Sequence, residues 1–273
     1  MTEPAGRSSK ATTIRKLTIG KTELRLVQQG DRFYGLINGK REVDGDEPDE
    51  VWRLLMDGRD PAAPRYLGFD GAKKLFLHYY PNGFHTDSFS ERGYKVRASS
   101  KLRQTVPVED AAVGTGFGES VLSAFRDTDL LHPIEKSRAQ DVLRGSNSDP
   151  FIQAAARFTL DDNPRQALRD MDRALHKHEA AKWTIVTYLP FLWRPDRHMF
   201  LKPEATKDFA ERTGQAFKEI YDPALDFSVY VSLLNLADKT GAEIADLNPR
   251  DNIDIQSFIW VVSGAYDGEN PRP

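Results

Sequence analysis

The chain has 273 residues, is 39% hydrophobic and 29% charged, carries a net charge of −3 and contains no cysteine. That length suffices for one large domain or two modest ones. The lack of cysteine excludes disulfides, zinc–thiolate sites and thiol nucleophiles. The longest apolar run, Trp183 to Trp193, is interrupted by Thr184, Thr187 and Pro190 and is too short to span a bilayer, so no membrane partner is expected. The first fifteen residues are polar and lack the apolar stretch of a secretory signal, and with no cysteine this points to a cytoplasmic protein. Charge is uneven along the chain. Residues 1–105 hold 19 Lys and Arg against 14 Asp and Glu, whereas the rest hold 19 against 27. A basic first part points to an anionic partner, with solvated surface as the plainer account.

Residues 1–13, rich in Ser, Thr and Gly, read as a disordered tail. Residues 14–56 read as a β-rich module. Leu24, Leu26, Phe33, Leu36 and Ile37 lie in short alternating runs punctuated by Gly20-Lys21, Gly30-Asp31 and Asn38-Gly39, the last a hairpin signal. A short helix carrying Val51, Leu54 and Leu55 follows. Residues 57–64, with Gly58, Pro61 and Pro64, read as a linker, and 265–273 as a flexible tail.

Residues 65–264 read as mainly helical. Asp70 is placed to cap a helix that Pro81-Asn82-Gly83 stops. A helix over about 90–106 sets Tyr94, Ala98 and Leu102 on one side and Arg92, Lys95, Ser99 and Arg103 on the other. A helix carrying Val121, Leu122 and Phe125 follows, and others start at His132-Pro133, Asp149-Pro150 and Asn163-Pro164, where proline suits the first turn. Residues 183–189 read as a strand or extended core segment. Helices near 204–213 and 224–240 lead to a last one, with Asn248 as cap, Pro249 at its first position and Ile255, Phe258, Ile259 and Val262 as a buried stripe; a strand is the alternative there, since 253–261 also alternates. The fold class is therefore α+β: a small N-terminal antiparallel sheet with one helix, then a larger, mainly α-helical domain.

No motif assigns a reaction. Gly114-Thr115-Gly116-Phe117-Gly118 lacks the following Lys-Ser/Thr of a phosphate loop and the spacing of a dinucleotide fingerprint. The six histidines have no metal-ligand spacing, and His178 reads as a buried or capping residue at the end of a helical stripe. No Gly-x-Ser-x-Gly elbow is present. No cofactor and no metal are therefore expected.

What stands out is charge set against large apolar side chains. Arg194, Arg197, His198 and Lys202 surround Met199, Phe200 and Leu201, and Arg250, Asp251 and Asp254 precede Phe258 and Trp260. Such groups are paired or line a cleft. Arg92, Lys95 and Arg103, preceded by Phe76, Tyr79, Tyr80 and Phe84, suit phosphate and base contacts. Asp251 and Asp254 share a helix face, so carboxylates holding Mg²⁺ are an alternative, although Asp251 also suits a helix N-terminus.

The blocks Gly68-Phe69-Asp70-Gly71-Ala72-Lys73, Phe84 with Arg92-Gly93-Tyr94-Lys95, His198-Met199-Phe200-Leu201-Lys202-Pro203 and Pro249-Arg250-Asp251 through Ile259-Trp260 resemble a family of bacterial proteins of no known activity. The resemblance covers residues 65–262 and implies a bacterial source and a family module, but no mechanism. The expected function is a binding or accessory protein contacting nucleic acid or another polyanion. The alternatives are a metal-dependent phosphodiesterase or nuclease and a protein-interaction scaffold.

Overall fold

Alternation of apolar and polar residues, closed by two-residue turns, builds the first part of the chain. The computed structural model describes residues 11–19, 22–56, 66–85, 89–264 and 266. Strands β1 (Thr12–Ile19), β2 (Thr22–Gln29), β3 (Arg32–Ile37) and β4 (Lys40–Gly45) form an antiparallel sheet in the order β1-β2-β3-β4. β1 begins two residues earlier than expected, because the β-branched Thr12 and Thr13 pair with Gln28 and Val27 of β2. Between β3 and β4, Asn38 and Gly39 take φ of 49° and 83°, the mirror-image turn that matches strand twist. The Asn38 side chain accepts from Glu23 N at 2.8 Å, tying the turn to β2.

One face of this sheet is covered by α1 (Pro48–Met56), whose Val51, Trp52 and Leu55 pack with Leu24, Leu26 and Tyr66. Fully burying each aliphatic side chain here stabilises by about 1.5–3 kcal/mol. Arg15 of β1 pairs with Asp49 at 2.5 Å and donates to the Tyr66 hydroxyl at 2.9 Å, which anchors the helix start to the sheet.

The chain divides into two compact units: residues up to Lys74 with Ala210–Ala216, and Leu75–Phe209 with the residues from Phe217 onward. The expected linker at 57–64 lies outside the described residues, as do residues 1–10 of the expected tail 1–13 and residues 265 and 267–273 of the expected tail 265–273. Residues 210–216 return to the first unit because Arg212 O accepts from Leu67 N at 2.8 Å and Gly214 lies against Trp52. Gly214 has φ of +67°, and a Cβ there would stand 2.8 Å from the Trp52 indole nitrogen, so a side chain is excluded twice over.

The helices that follow are α2 (Gly68–Tyr79), α3 (Ser90–Thr105), α4 (Val108–Val113), α5 (Gly118–Arg126), α6 (Pro133–Arg144), α7 (Ser148–Thr159), α8 (Pro164–His176), α9 (Trp183–Val186), α10 (Tyr188–Trp193), α11 (Pro203–Arg212), α12 (Phe217–Ile220), α13 (Phe227–Glu243) and α14 (Asn252–Val262). Proline opens α6, α8 and α11, as its missing donor favours. At α6, His132 caps from its ring nitrogen while Glu135 reaches back to His132 N at 3.0 Å. α2 begins at Gly68, so Asp70 lies in its first turn rather than at its cap. The Gly114–Gly118 stretch joins α4 to α5, and Gly116 N donates to Asp149 at 2.8 Å.

Residues 183–189 depart from expectation. They form α9 and the start of α10, buried throughout from Trp183 to Trp193. An unbroken apolar run looks alike as a buried strand or a buried helix, and only packing separates the two. α14 also starts later than its sequence signal. Asn248 closes a 3₁₀ turn, Ala245–Leu247, with φ of +52°, and Asp251 is the true cap, accepting from Ile253 N at 3.0 Å. Every residue of α14 from Ile253 to Ile259 is buried, beyond the expected stripe. His178 lies past the end of α8 and is half-buried. Among the described residues, no helix is long and apolar enough to cross a membrane.

Candidate functional site

α3 presents Arg92, Lys95, Ser99 and Arg103 along one stripe, and its neighbours cover most of it. The Arg92 guanidinium forks onto Asp251, with Nη1 2.6 Å from Oδ1 and Nη2 2.8 Å from Oδ2, and Nη1 also reaches Asp254 Oδ1 at 3.0 Å. Burial works against the Arg92 charge, but the two carboxylates outweigh it and hold its pKa above the usual value. Arg250 grips Asp254 from the other side, with Nε 2.8 Å from Oδ2 and Nη2 3.0 Å from Oδ1. Its backbone N donates to Asp254 Oδ2 at 2.9 Å, and Nη2 also donates to Phe84 O at 2.8 Å. Asp254 is fully buried between the two arginines.

One turn along α3, Lys95 is fully buried and its ammonium donates to Gln256 Oε1 at 2.6 Å and Ser257 Oγ at 2.8 Å. Burial pulls its pKa down to about 8, against the opposing pull of Glu91, 3.5 Å away. Ser99 donates to Leu192 O at 2.7 Å, which joins α3 to α10. Of the expected basic face, only Arg103 remains on the surface. The stripe read as a phosphate-contacting surface is mainly an internal polar seam, because α14 supplies the carboxylates, amide and hydroxyl that satisfy it.

The two charged motifs do pack together. Asn252 N donates to Pro195 O at 2.9 Å, Asn252 Nδ2 donates to His198 O at 3.1 Å, and the Lys202 ammonium lies 3.9 Å from the centre of the Trp260 ring. Phe200 is buried, as is Phe258 of the expected stripe, while Trp260 is half-buried. His198 is structural. Its Nε2 lies 3.0 Å from Thr159 O and so carries the proton, leaving Nδ1 to accept from the Tyr230 hydroxyl at 2.8 Å. Burial holds its pKa below the usual 6.5. The stability that this neutral ring contributes is full above 6.5 and is lost as pH falls, by at most about 1.4 kcal/mol per pH unit. A His198→Gln variant should lose less stability than the parent between pH 7 and 5 in urea titrations; parallel losses would contradict this.

The remaining predicted arginines converge elsewhere. An open cleft of about 390 Å³ lies between the end of α3, the start of α4 and the turn after α10. Arg103, Arg194 and Arg197 line it, with Glu109 and Asp196 as acids and Pro107, Val108 and Trp193 as the apolar wall. Trp193 fixes that wall, its indole nitrogen donating to Val106 O at 2.8 Å. Arg194 pairs with Glu109 at 2.9 Å. Arg197 is 58% exposed and reaches Asp161 and Asp196 only at 3.8 and 3.9 Å. Among the described residues no carboxylate pairs with Arg103, whose Nε makes one long bond, 3.4 Å, to Ser99 O.

Eight of the ten predicted residues thus fall into two groups, Arg92, Lys95, Arg250, Asp251 and Asp254 in the α3–α14 seam and Arg103, Arg194 and Arg197 at the cleft, while His198 and Lys202 belong to neither. Glu109, Ser257 and the His198 partners Thr159 and Tyr230 were not singled out from sequence. The spacing of four in Glu91–Lys95 and in Arg250–Asp254 could have signalled those pairs beforehand. Among the described residues no cluster of three His, Asp or Glu is placed to hold a metal ion. No family model, curated protein or solved structure matches this chain.

Proposed function

We propose that this chain is a cytoplasmic bacterial binding or accessory protein whose arginine-lined cleft takes a nucleic acid or another phosphate-bearing polyanion. The observation that carries this reading is the convergence of Arg103, Arg194 and Arg197, from two separate segments, on one open cleft. Guanidinium groups fork onto phosphate oxygens, and those of Arg103 and Arg197 are held only loosely. The nuclease alternative has less support. All four oxygens of Asp251 and Asp254 already accept hydrogen bonds from arginine, which leaves no free carboxylate to share a Mg²⁺ with a phosphate. A protein-interaction scaffold is the second reading, favoured by the number of motif charges that are spent inside the fold.

The test is binding of single-stranded DNA and RNA across a salt series. Replacing Arg103, Arg194 and Arg197 together by glutamate should abolish tight binding at low salt. Losing three phosphate contacts should lower the slope of log affinity against log salt by roughly two. Absence of binding by the parent at low salt, or an unaffected triple variant, would overturn the polyanion reading and leave the scaffold.

A further inference from the structure

We infer that the cleft recognises a terminal phosphate, a phosphomonoester at the end of a strand or on a nucleotide, in preference to an internal phosphodiester, and that Glu109 sets this preference. The inference rests on the anion-binding reading above and names its ligand class. The geometry behind it is a built-in counterion. Glu109 already occupies Arg194 at 2.9 Å, so an incoming anion must displace a carboxylate before it gains that guanidinium. Glu109 is 64% exposed, which leaves it free to swing into solvent.

A phosphodiester brings one charge and two terminal oxygens, so its exchange for the Glu109 carboxylate on Arg194 is close to neutral. A phosphomonoester above pH ~6 brings a second charge and a third terminal oxygen. It can fork onto Arg194 while its third oxygen reaches Arg103 or Arg197, the charge-assisted arrangement with the greatest gain. The surroundings act in the same direction. Asp196 and Asp161 lie 3.9 and 3.8 Å from Arg197, so a backbone continuing past that arginine would run past acids. A strand end needs to leave in one direction only. Pro107 and Val108 offer an apolar surface to the sugar or base that carries the phosphate.

The experiment uses the full chain and fluorescence anisotropy with two oligonucleotides of one sequence, roughly twelve nucleotides long. Both carry a 3′ dye, and they differ only in a 5′-phosphate or 5′-hydroxyl. The 5′-phosphate form should bind about tenfold tighter near neutral pH, and its advantage should shrink below pH ~6 as the second charge is lost. Glu109→Gln should tighten the 5′-hydroxyl form by about two- to fivefold and so narrow the preference, as expected for an exposed ion pair. Arg194→Glu should erase the preference. Competition by a nucleoside monophosphate as effective as the phosphorylated strand would assign the site to a small nucleotide. Competition by the strand alone would assign it to a nucleic-acid end. Equal binding of both oligonucleotides, still weakened by Arg194→Glu, would overturn the terminal-phosphate inference while sparing the anion-binding reading. Binding of neither would overturn both.

Discussion

Asp254→Ala is expected to lower the unfolding free energy by about 3 kcal/mol, the lower end of the roughly 3–5 kcal/mol cost of stranding a buried charge. Asp254 is fully buried and holds Arg92 and Arg250 together, and its loss leaves both guanidinium groups short of partners. Two features moderate the cost. The Arg250 side chain is 36% exposed and can recover water, and Arg92 keeps its fork on Asp251. For a helical unit of this size the change corresponds to a fall of about 6–12 °C in melting temperature. Binding of an oligonucleotide by the still-folded variant should be unchanged, because the cleft uses other residues. A variant that melts with the parent would show that the seam contributes nothing. One that keeps its stability but loses binding would place the ligand at Asp254 instead.

The second large effect is a rise in stability at alkaline pH that depends on Lys95. Free lysine titrates near 10.5, whereas burial brings Lys95 to about 8 in the fold. Between these values the unfolded chain holds the proton and the folded chain has released it, so stability increases with pH. The contribution is fully present above 10.5, is lost as pH falls through 8, and amounts to about 3 kcal/mol. Tyr94, Tyr188 and Tyr230, whose pKa values burial raises, act in the opposite direction above pH 10, so the comparison must be with a variant. Lys95→Met removes the titrating group from the same volume. The difference between parent and Lys95→Met stabilities, from guanidinium titrations at pH 7.5, 9 and 10.5, should shift toward the parent by about 3 kcal/mol across that window. A flat difference would mean that the buried amine keeps its proton in the fold.

Much of the architecture was legible because it depends on neighbours in the chain. The Asn38-Gly39 turn follows from two positive φ angles, which those residues adopt readily. The proline starts of α6 and α8 follow from a donor that has no local partner in any case. The buried stripe of Ile255, Phe258, Ile259 and Val262 follows from helical spacing.

Other readings failed for one shared reason. The stripe of Arg92, Lys95, Ser99 and Arg103 has the spacing of a solvated face, and spacing cannot show that another helix will supply acceptors there. The partners of Arg92 are 159 and 162 residues away, and the acceptors that α14 supplies to Lys95 are 161 and 162 away. The same blindness made the buried helices α9 and α10 resemble a strand, since an unbroken apolar run carries no period to separate the two. By itself the sequence determined the α+β class, the Asn38-Gly39 turn, the starts of α6 and α8 and the residues whose charge had to be accounted for, because these rest on local backbone chemistry and periodicity. Only the tertiary structure decided which charges neutralise one another in the α3–α14 seam and which arginines stay loosely held around the cleft. Pairing energy depends on distance and burial, and both arise only when segments remote in the chain are packed together.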